Sequence, residues 1–123
     1  MKTEEINSIP TQQECKASLK NIIDAMYVLS GKWKLPIVLS LMHSTKRFNE
    51  IQKEVIGISP KVLANELRDL EANFLISRHV DTATPVVITY GATDYSQTLK
   101  NVLPELSAWG KQHREKIKES MKK

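Results

Sequence analysis

Lys61, Asn65 and Arg68 are the side chains whose types and spacing best fit a recognisable chemistry. They stand at positions i, i+4 and i+7, so a helix would place them on one face. In the major groove of DNA, asparagine can read adenine, arginine can read guanine, and lysine can contact a base or a phosphate. The competing interpretation is an ordinary solvated helix face.

Local signals predict the helix that carries these residues, from Ser59 to Asn73. Gly57 breaks the preceding segment, Ser59 is a natural N-cap, and Pro60 falls at the first helical position, where no N–H is needed. The opposite side of this helix carries an apolar stripe that we expect to be buried, formed by Leu63, Leu67, Leu70 and Phe74.

The sequence lacks the residue patterns of an enzyme or a metalloprotein. Its histidines, His43, His79 and His113, lie far apart and have no carboxylate at ligand spacing. There is no nucleophile paired with a base, and the 4 glycines form no phosphate-cradling loop. We therefore expect no catalysis, no metal site and no cofactor.

Cys15 is the one cysteine, which excludes an intrachain disulfide. It opens a predicted helix, and that position together with Lys16 favours the thiolate, whereas Glu14 opposes it. The flanking residues Gln12 and Gln13 suggest exposure. Two interpretations stay open: a small buried hydrophobe, or a reactive thiol that senses redox state.

Length and charge describe a single mildly basic domain. The chain has 123 residues, 41% of them hydrophobic, and a net charge of +4, which is compatible with a nucleic-acid partner. No stretch approaches the roughly 18 apolar residues of a membrane span, and the opening MKTEEINSIPTQQE lacks the core of a signal peptide. We expect a cytoplasmic protein without membrane contact.

Apolar periodicity predicts a flexible lead-in followed by three helices before the one already described. Trp33 is expected in the core, and Pro36 should loosen or kink the second helix. Two helices joined by a tight glycine-containing turn form a helix-turn-helix. The predicted lead-in is 1–14, and the helices are 15–29, 32–43 and 46–55.

The chain after Phe74 changes to the period of strands. We predict strands at 75–80 and 86–90 with a turn between them, and then a last helix over 94–121, bent or split at Pro104. A helix-turn-helix followed by a hairpin is a winged helix. The predicted fold class is mainly α with a small β-hairpin (α+β).

The first and last helices carry apolar seams longer than one small domain needs. A second copy of the chain would cover them, so we predict a homodimer with twofold symmetry. Its two reading helices would lie about one DNA turn apart, roughly 34 Å. The predicted interface residues are Leu19, Ile22, Met26, Leu99, Leu103, Leu106 and Trp109.

Short motifs in a fixed order resemble the HxlR branch of MarR-like winged-helix regulators. The resemblance runs from about Cys15 to His113 and implies one HxlR-type domain over 15–123. It also implies a homodimeric bacterial transcription factor on operator DNA, usually a repressor. The motifs are Ser30-Gly31-Lys32-Trp33-Lys34, Arg47-Phe48-Asn49-Glu50-Ile51, Gly57-Ile58-Ser59-Pro60-Lys61-Val62-Leu63, Leu67-Arg68-Asp69-Leu70-Glu71 and Leu106-Ser107-Ala108-Trp109-Gly110.

The resemblance also bears on the effector and on the wing. Members of the family often carry a cysteine where this chain has Cys15, and in some of them it senses electrophiles or disulfide stress, while others respond to unrelated signals. The wing lacks Lys and Arg from His79 to Tyr90. Phe74 stands where the family has glycine, so we expect Asn73 to adopt the left-handed cap.

The sequence therefore predicts contact with double-stranded DNA. In the reading helix the contacts are assigned to Ser59, Lys61, Asn65 and Arg68, and Arg78 is assigned to the wing. Lys46 and Arg47, at the start of the preceding helix, are expected to contact the phosphate backbone of the DNA. The alternative is a winged-helix protein–protein or ligand-binding module with weak or no DNA binding, which the uncharged wing favours.

Overall fold

The computed structural model describes residues 11–122, and the chain divides into two compact units after Gly31. The first unit contains helix α1, Gln12–Leu29. Thr11 Oγ1 accepts a hydrogen bond from the Glu14 N–H (3.1 Å), and Glu14 Oε1 accepts one from the Thr11 N–H (2.7 Å). This capping box starts α1 three residues before Cys15, so the predicted lead-in is wrong for 11–14. Residues 1–10 lie outside the described residues.

Helix α1 has no buried residue. Its apolar side chains Leu19, Ile22 and Met26 are 60%, 60% and 53% exposed. The helix ends where the sequence predicts, because the Ser30 N–H closes the last turn on the Met26 carbonyl and Gly31 takes a φ of +99°.

The second unit is mainly helical with a three-stranded antiparallel sheet in the order β1-β3-β2. The hairpin of β2 and β3 follows the helix-turn-helix directly, as predicted. The elements in chain order are α2 Lys34–His43, β1 Lys46–Arg47, α3 Phe48–Glu54, α4 Pro60–Ala72, β2 Ile76–Asp81, β3 Val87–Ala92, a 3-10 helix Tyr95–Asn101 and α5 Val102–Ser120.

The core of this unit lies among α2, α3, α4 and the start of β2. Trp33 is half-buried rather than fully in the core. A Cβ at Gly57 would make only ordinary van der Waals contact with the Trp33 ring (3.7 Å). The φ of +94° at Gly57 is what suits glycine in the turn between α3 and α4. Pro36 is the third residue of α2, where no backbone N–H is needed. The fully buried core side chains are Ile37, Val38, Ile51, Leu63, Leu70 and Ile76.

The third helix of the prediction begins two residues later in the structure than expected, because Lys46 and Arg47 form a strand. They pair with Tyr90 and Thr89 of β3. A two-residue strand is too short to show a period in the sequence, and it forms because the edge of β3 offers backbone partners. Helix α3 then begins at Phe48, with Glu50 Oε1 accepting from the Arg47 N–H (2.7 Å).

The apolar stripe of α4 ends at Leu70, so the prediction that Phe74 is buried is wrong. Phe74 is 73% exposed, and it takes the left-handed cap with a φ of +68° that we expected at Asn73. The N–H of Phe74 bonds to the Glu71 carbonyl and that of Leu75 to the Leu70 carbonyl, a Schellman turn. This turn reverses the chain, and Leu75, 4% exposed, takes the place predicted for Phe74.

The predicted helix over 94–121 is split into a 3-10 helix and α5, two residues before Pro104. Thr93 Oγ1 accepts from the Ser96 N–H (3.2 Å) and donates to the Phe74 carbonyl (2.6 Å). Pro104 is the third residue of α5, where its missing N–H has no partner to lose. Within 11–122, every helix is too short or too polar to cross a membrane.

Phe74→Gly should raise the free energy of unfolding by about 1 kcal/mol, because a left-handed residue with a Cβ costs about 1–2 kcal/mol. The ring is 73% exposed, so its removal uncovers little apolar surface. Urea unfolding measures the change. Asn73→Gly is the control: its φ of −98° needs no glycine, and it loses the bond from Asn73 Nδ2 to the Asp69 carbonyl. A Phe74→Gly protein no more stable than wild type would contradict the assigned strain.

Candidate nucleic-acid interface

Helix α4 begins as its sequence predicts. Ser59 is the N-cap, and its Oγ accepts a hydrogen bond from the Val62 N–H (3.2 Å). Pro60 occupies the first helical position. The cap satisfies one of the free amides of the first turn, so the helix starts at a fixed residue, directly after the turn from α3.

The two faces of α4 are separated as the sequence predicts. Leu63, Leu67 and Leu70 are at most 3% exposed. Lys61, Asn65 and Arg68 are all exposed. Arg68 Nη2 donates a hydrogen bond to Asn65 Oδ1, so the last two side chains of the outer face form a connected pair. The outer face therefore offers hydrogen-bond donors, with the positive charge of Lys61 at one end and that of Arg68 at the other.

An ion pair that the sequence analysis missed ties α4 to the start of α2. Lys34 Nζ donates to Glu66 Oε1 (2.5 Å) and lies 3.4 Å from Asp69 Oδ2. The Lys34 and Glu66 side chains are 13% and 18% exposed. The hydrogen bond to Glu66 raises the pKa of Lys34 against the opposing effect of burial. The one signal in the sequence was a lysine heading an otherwise apolar helix.

Lys46 has a structural role that the sequence analysis did not foresee. Its Nζ donates to the Ser40 carbonyl (2.5 Å) and lies 3.5 Å from Glu54 Oε1, and its side chain is 16% exposed. Ser40 Oγ donates to the same carboxylate (2.6 Å), and this bond, with the Lys46 charge, lowers the pKa of Glu54. The ammonium thus joins α2, β1 and α3, and these bonds oppose the predicted contact of Lys46 with the DNA backbone.

Arg47 and Arg78 are exposed at two different places. Arg47 lies at the junction of β1 and α3. Arg78 lies on β2, opposite Tyr90 of β3. The structure brings Arg78 to the same cleft as Arg68. This cleft lies between α4 and the hairpin and has a volume of about 310 Å³. The cleft is lined by Ala64, Leu67, Arg68, Glu71, Arg78 and Tyr90.

The tip of the hairpin carries a negative charge. Asp81 ends β2, and its Oδ1 accepts a hydrogen bond from the Ala83 N–H (3.0 Å). Residues 81–86 are all exposed and include no cation. A phosphate backbone would be repelled by this tip. Among the residues of the hairpin, the exposed arginine nearest to α4 is Arg78, which lies towards its base.

Cys15 is an exposed thiol. It lies in the first turns of α1, where its N–H donates to the carbonyl of the cap residue Thr11 (2.9 Å). The thiol is therefore not buried within a single copy of the chain. Within residues 11–122, no three His, Cys, Asp or Glu side chains come together as metal ligands would.

The comparison with protein families decides the class of the chain. The family model for HxlR-like helix-turn-helix proteins matches residues 28–118. The chain belongs to the HxlR-like helix-turn-helix family. The match includes both helices of the helix-turn-helix and the hairpin, and it confirms the predicted HxlR, MarR-like type.

Relatives in the HxlR-like family are named as transcriptional regulators. The chain is 37% identical over 86 residues to the uncharacterized regulator YtcD of Bacillus subtilis, covering 70% of this chain and 68% of YtcD. It is 38% identical over 88 residues to YodB of the same organism, covering 72% of this chain and 79% of YodB.

Solved structures of the family share the fold. The redox regulator HypR in its reduced form matches with a TM-score of 0.74 at 28% identity, covering 80% of this chain and 97% of HypR. The reduced form of YodB matches with a TM-score of 0.67 at 36% identity, covering 75% and 90%. The protein is therefore a transcriptional regulator with a winged helix-turn-helix DNA-binding domain, and the predicted fold class is confirmed.

Lys34→Met should lower the free energy of unfolding by about 1–3 kcal/mol, because the largely buried Glu66 carboxylate loses its charged donor. The control is Lys20→Met, which breaks the exposed Lys20–Asp24 pair (3.9 Å) and should change stability little. Urea unfolding of both variants and the wild type measures the difference.

The same pair has a predicted pH dependence. The pKa of Lys34 is raised above 10.5, so its stabilisation is fully present below about pH 10.5 and is lost as the pH rises through the raised value. The stability difference between wild type and Lys34→Met should therefore shrink above pH 10.5. A stability difference that stays constant up to the pH at which the protein unfolds in alkali would contradict the ion pair.

Proposed function

We propose that this regulator is a repressor that binds a palindromic operator in double-stranded DNA as a homodimer. The observation that carries the proposal is the outer face of α4. Lys61, Asn65 and Arg68 are exposed together while the three leucines behind them are buried. A helix held rigidly from behind with such a front is suited to enter the major groove.

The proposed contacts divide into base readers and phosphate contacts. Lys61 and Asn65 lie on the half of α4 nearer its N-terminus, the part of a recognition helix that reaches base edges. Ser59 and Arg47 lie at the N-termini of α4 and α3, where helices contact phosphates. Arg68 and Arg78 complete the set. These contacts hold the domain on the duplex, and the bases select the site.

The proposed dimer rests on apolar side chains that stay exposed on α1 and α5. On α5, Leu106 and Trp109 are 48% and 60% exposed, in addition to the exposed Leu19, Ile22 and Met26 of α1. Leu99 and Leu103, which precede them in the sequence, are half-buried. A second copy related by a twofold axis would cover such surfaces and present two copies of α4, which implies a palindromic operator.

Cys15 is the proposed sensor of the regulator. Support comes from the exposed thiol and from the relatives: HypR is described as a redox regulator, and YodB has been crystallised reduced, diamide-treated and quinone-bound. Two Cys15 thiols from the two copies would form one disulfide while the oxidant takes up two electrons and two protons. The bond would change the spacing of the two reading helices and release the operator.

The Asn65→Ala variant tests the proposed operator contact. Footprinting on the DNA upstream of the gene should show two half-sites about 10 base pairs apart. The variant should lose about 1–3 kcal/mol of operator affinity and keep its affinity for unrelated duplex, because a base contact is lost. Asn101→Ala, an exposed amide outside α4 with no side-chain cap bond, is the matched control.

The alternative protein–protein or ligand-binding module makes the opposite prediction. A regulator with several phosphate contacts should lose affinity steeply as salt rises. Weak binding with a shallow salt dependence and no preference for the upstream DNA would contradict the operator function and favour the module.

The Cys15→Ser variant tests the sensor. Diamide should release the wild-type protein from its operator and produce a covalent dimer on a non-reducing gel. Cys15→Ser should bind the operator with unchanged affinity and stay bound after diamide, because it is the one cysteine of the chain. Release of Cys15→Ser by diamide to the same extent as wild type would exclude the thiol as the sensor.

A further inference from the structure

We propose that Arg68 and Arg78 together hold one backbone phosphate in the cleft between α4 and the base of the hairpin. This inference rests on the proposed DNA binding and deepens it, because it assigns Arg68 to the backbone instead of to a base. It also moves the phosphate contact of the wing from the tip of the hairpin to its base.

The first support is that two consecutive elements, α4 and β2, supply one cation each to the same cleft. Arg68 is the ninth residue of α4, next to the buried Leu67, and Arg78 lies on β2. Tyr90, the cross-strand neighbour of Arg78, forms part of the wall. The core and the sheet fix the backbone of both elements, so both arginines reach the same cleft before any ligand arrives.

The second support is the charge of the cleft. Across residues 11–122, no carboxylate oxygen lies within 4.0 Å of either guanidinium. Two cations at one cleft repel each other, and an anion between them removes that cost. Glu71 also lines the cleft, and its carboxylate opposes an anion there. The two guanidinium groups outweigh it, so the cleft keeps a net charge of +1, which attracts a phosphodiester.

The third support is the link between Arg68 and Asn65. The guanidinium donates one of its five N–H groups to Asn65 Oδ1 and keeps four for an anion. Arg68 can therefore bind a phosphate and keep its bond to Asn65 at the same time. Arginine suits this double role because its planar fork bonds in two directions at once.

The position of the cleft explains how a wing with an acidic tip can still contribute. Asp81 at the tip would repel phosphate, whereas Arg78 lies three residues earlier, at the base of the hairpin beside α4. A backbone phosphate adjoining the major groove that α4 enters would meet the cleft without approaching the tip. The hairpin then supports α4 at the groove edge and need not enter the minor groove.

The first test measures the salt dependence of binding to an unrelated duplex. Removing both arginines from each copy of the dimer should lower the slope of log K against log salt by about 1.8, because one phosphate per copy loses its cations. Two separate phosphate contacts in each copy would lower it by about 3.6, which would overturn the proposal. Arg114→Ala, an exposed arginine on α5, is the charge-matched control and should leave the slope unchanged.

The second test measures specificity. Arg68→Ala and Arg78→Ala should each weaken binding to the operator and to an unrelated duplex by the same factor, roughly 10-fold, because a phosphate contact carries no sequence information. A fall in the ratio of operator to unrelated affinity for Arg68→Ala would show base reading and overturn the proposal. Thermal unfolding of each variant checks its fold, and Arg68→Gln and Arg78→Gln replace any alanine variant whose midpoint falls.

The third test locates the phosphate with uncharged methylphosphonate linkages placed one at a time in the operator. At one position in each half-site, the substitution should weaken wild-type binding and abolish the effect of both arginine variants. Two different positions, one for each arginine, would overturn the shared site. An absence of operator preference in the wild type would overturn the proposed function alone, since the salt test uses unrelated DNA.

Discussion

The burial of Leu63, Leu67 and Leu70 is the constraint on which the rest of the interface depends. These three side chains fix the rotation of α4 about its own axis, because turning the helix would expose them to water at a cost of several kcal/mol. The direction of Lys61 and Arg68 follows from that burial and from helix geometry, without any contact of their own. The Ser59 cap fixes where the helix begins, so both the rotation and the register of the outer face are set before DNA is bound.

Charged side chains complete what apolar packing leaves free. The Lys34–Glu66 pair joins the start of α2 to the middle of α4, and Lys46 joins α2 to β1 and α3. Apolar contacts are non-directional and tolerate small slides, whereas an ammonium held by a carboxylate at hydrogen-bond distance fixes one register. Lys34 and Lys46 therefore act on the interface indirectly, and the exposed cations Lys61, Arg68 and Arg78 remain for the ligand.

The sequence predicted the features that depend on local patterns and missed those that depend on distant partners. The start of α4, its two faces and the hairpin follow from Ser59-Pro60, from helical spacing and from β-branched runs. The Lys34–Glu66 pair and the shared cleft of Arg68 and Arg78 join residues 32 and 10 positions apart, and nothing in the local pattern indicates them. Phe74 was misassigned because helical spacing was extended through a Schellman turn, where Leu75 takes its place.

The two ends of the hairpin act in opposite ways on a phosphate backbone: the acidic tip repels it, and the end that carries Arg78 attracts it. Asp81 at the tip opposes a phosphate there, whereas the cation Arg78 lies towards the end next to α4. In the proposed complex, contact is concentrated around α4 and the cleft, so a small rotation of the two copies of the dimer would break a large share of the contacts at once. A regulator built this way can release DNA after a modest change at its interface, because no separate wing contact remains to hold it.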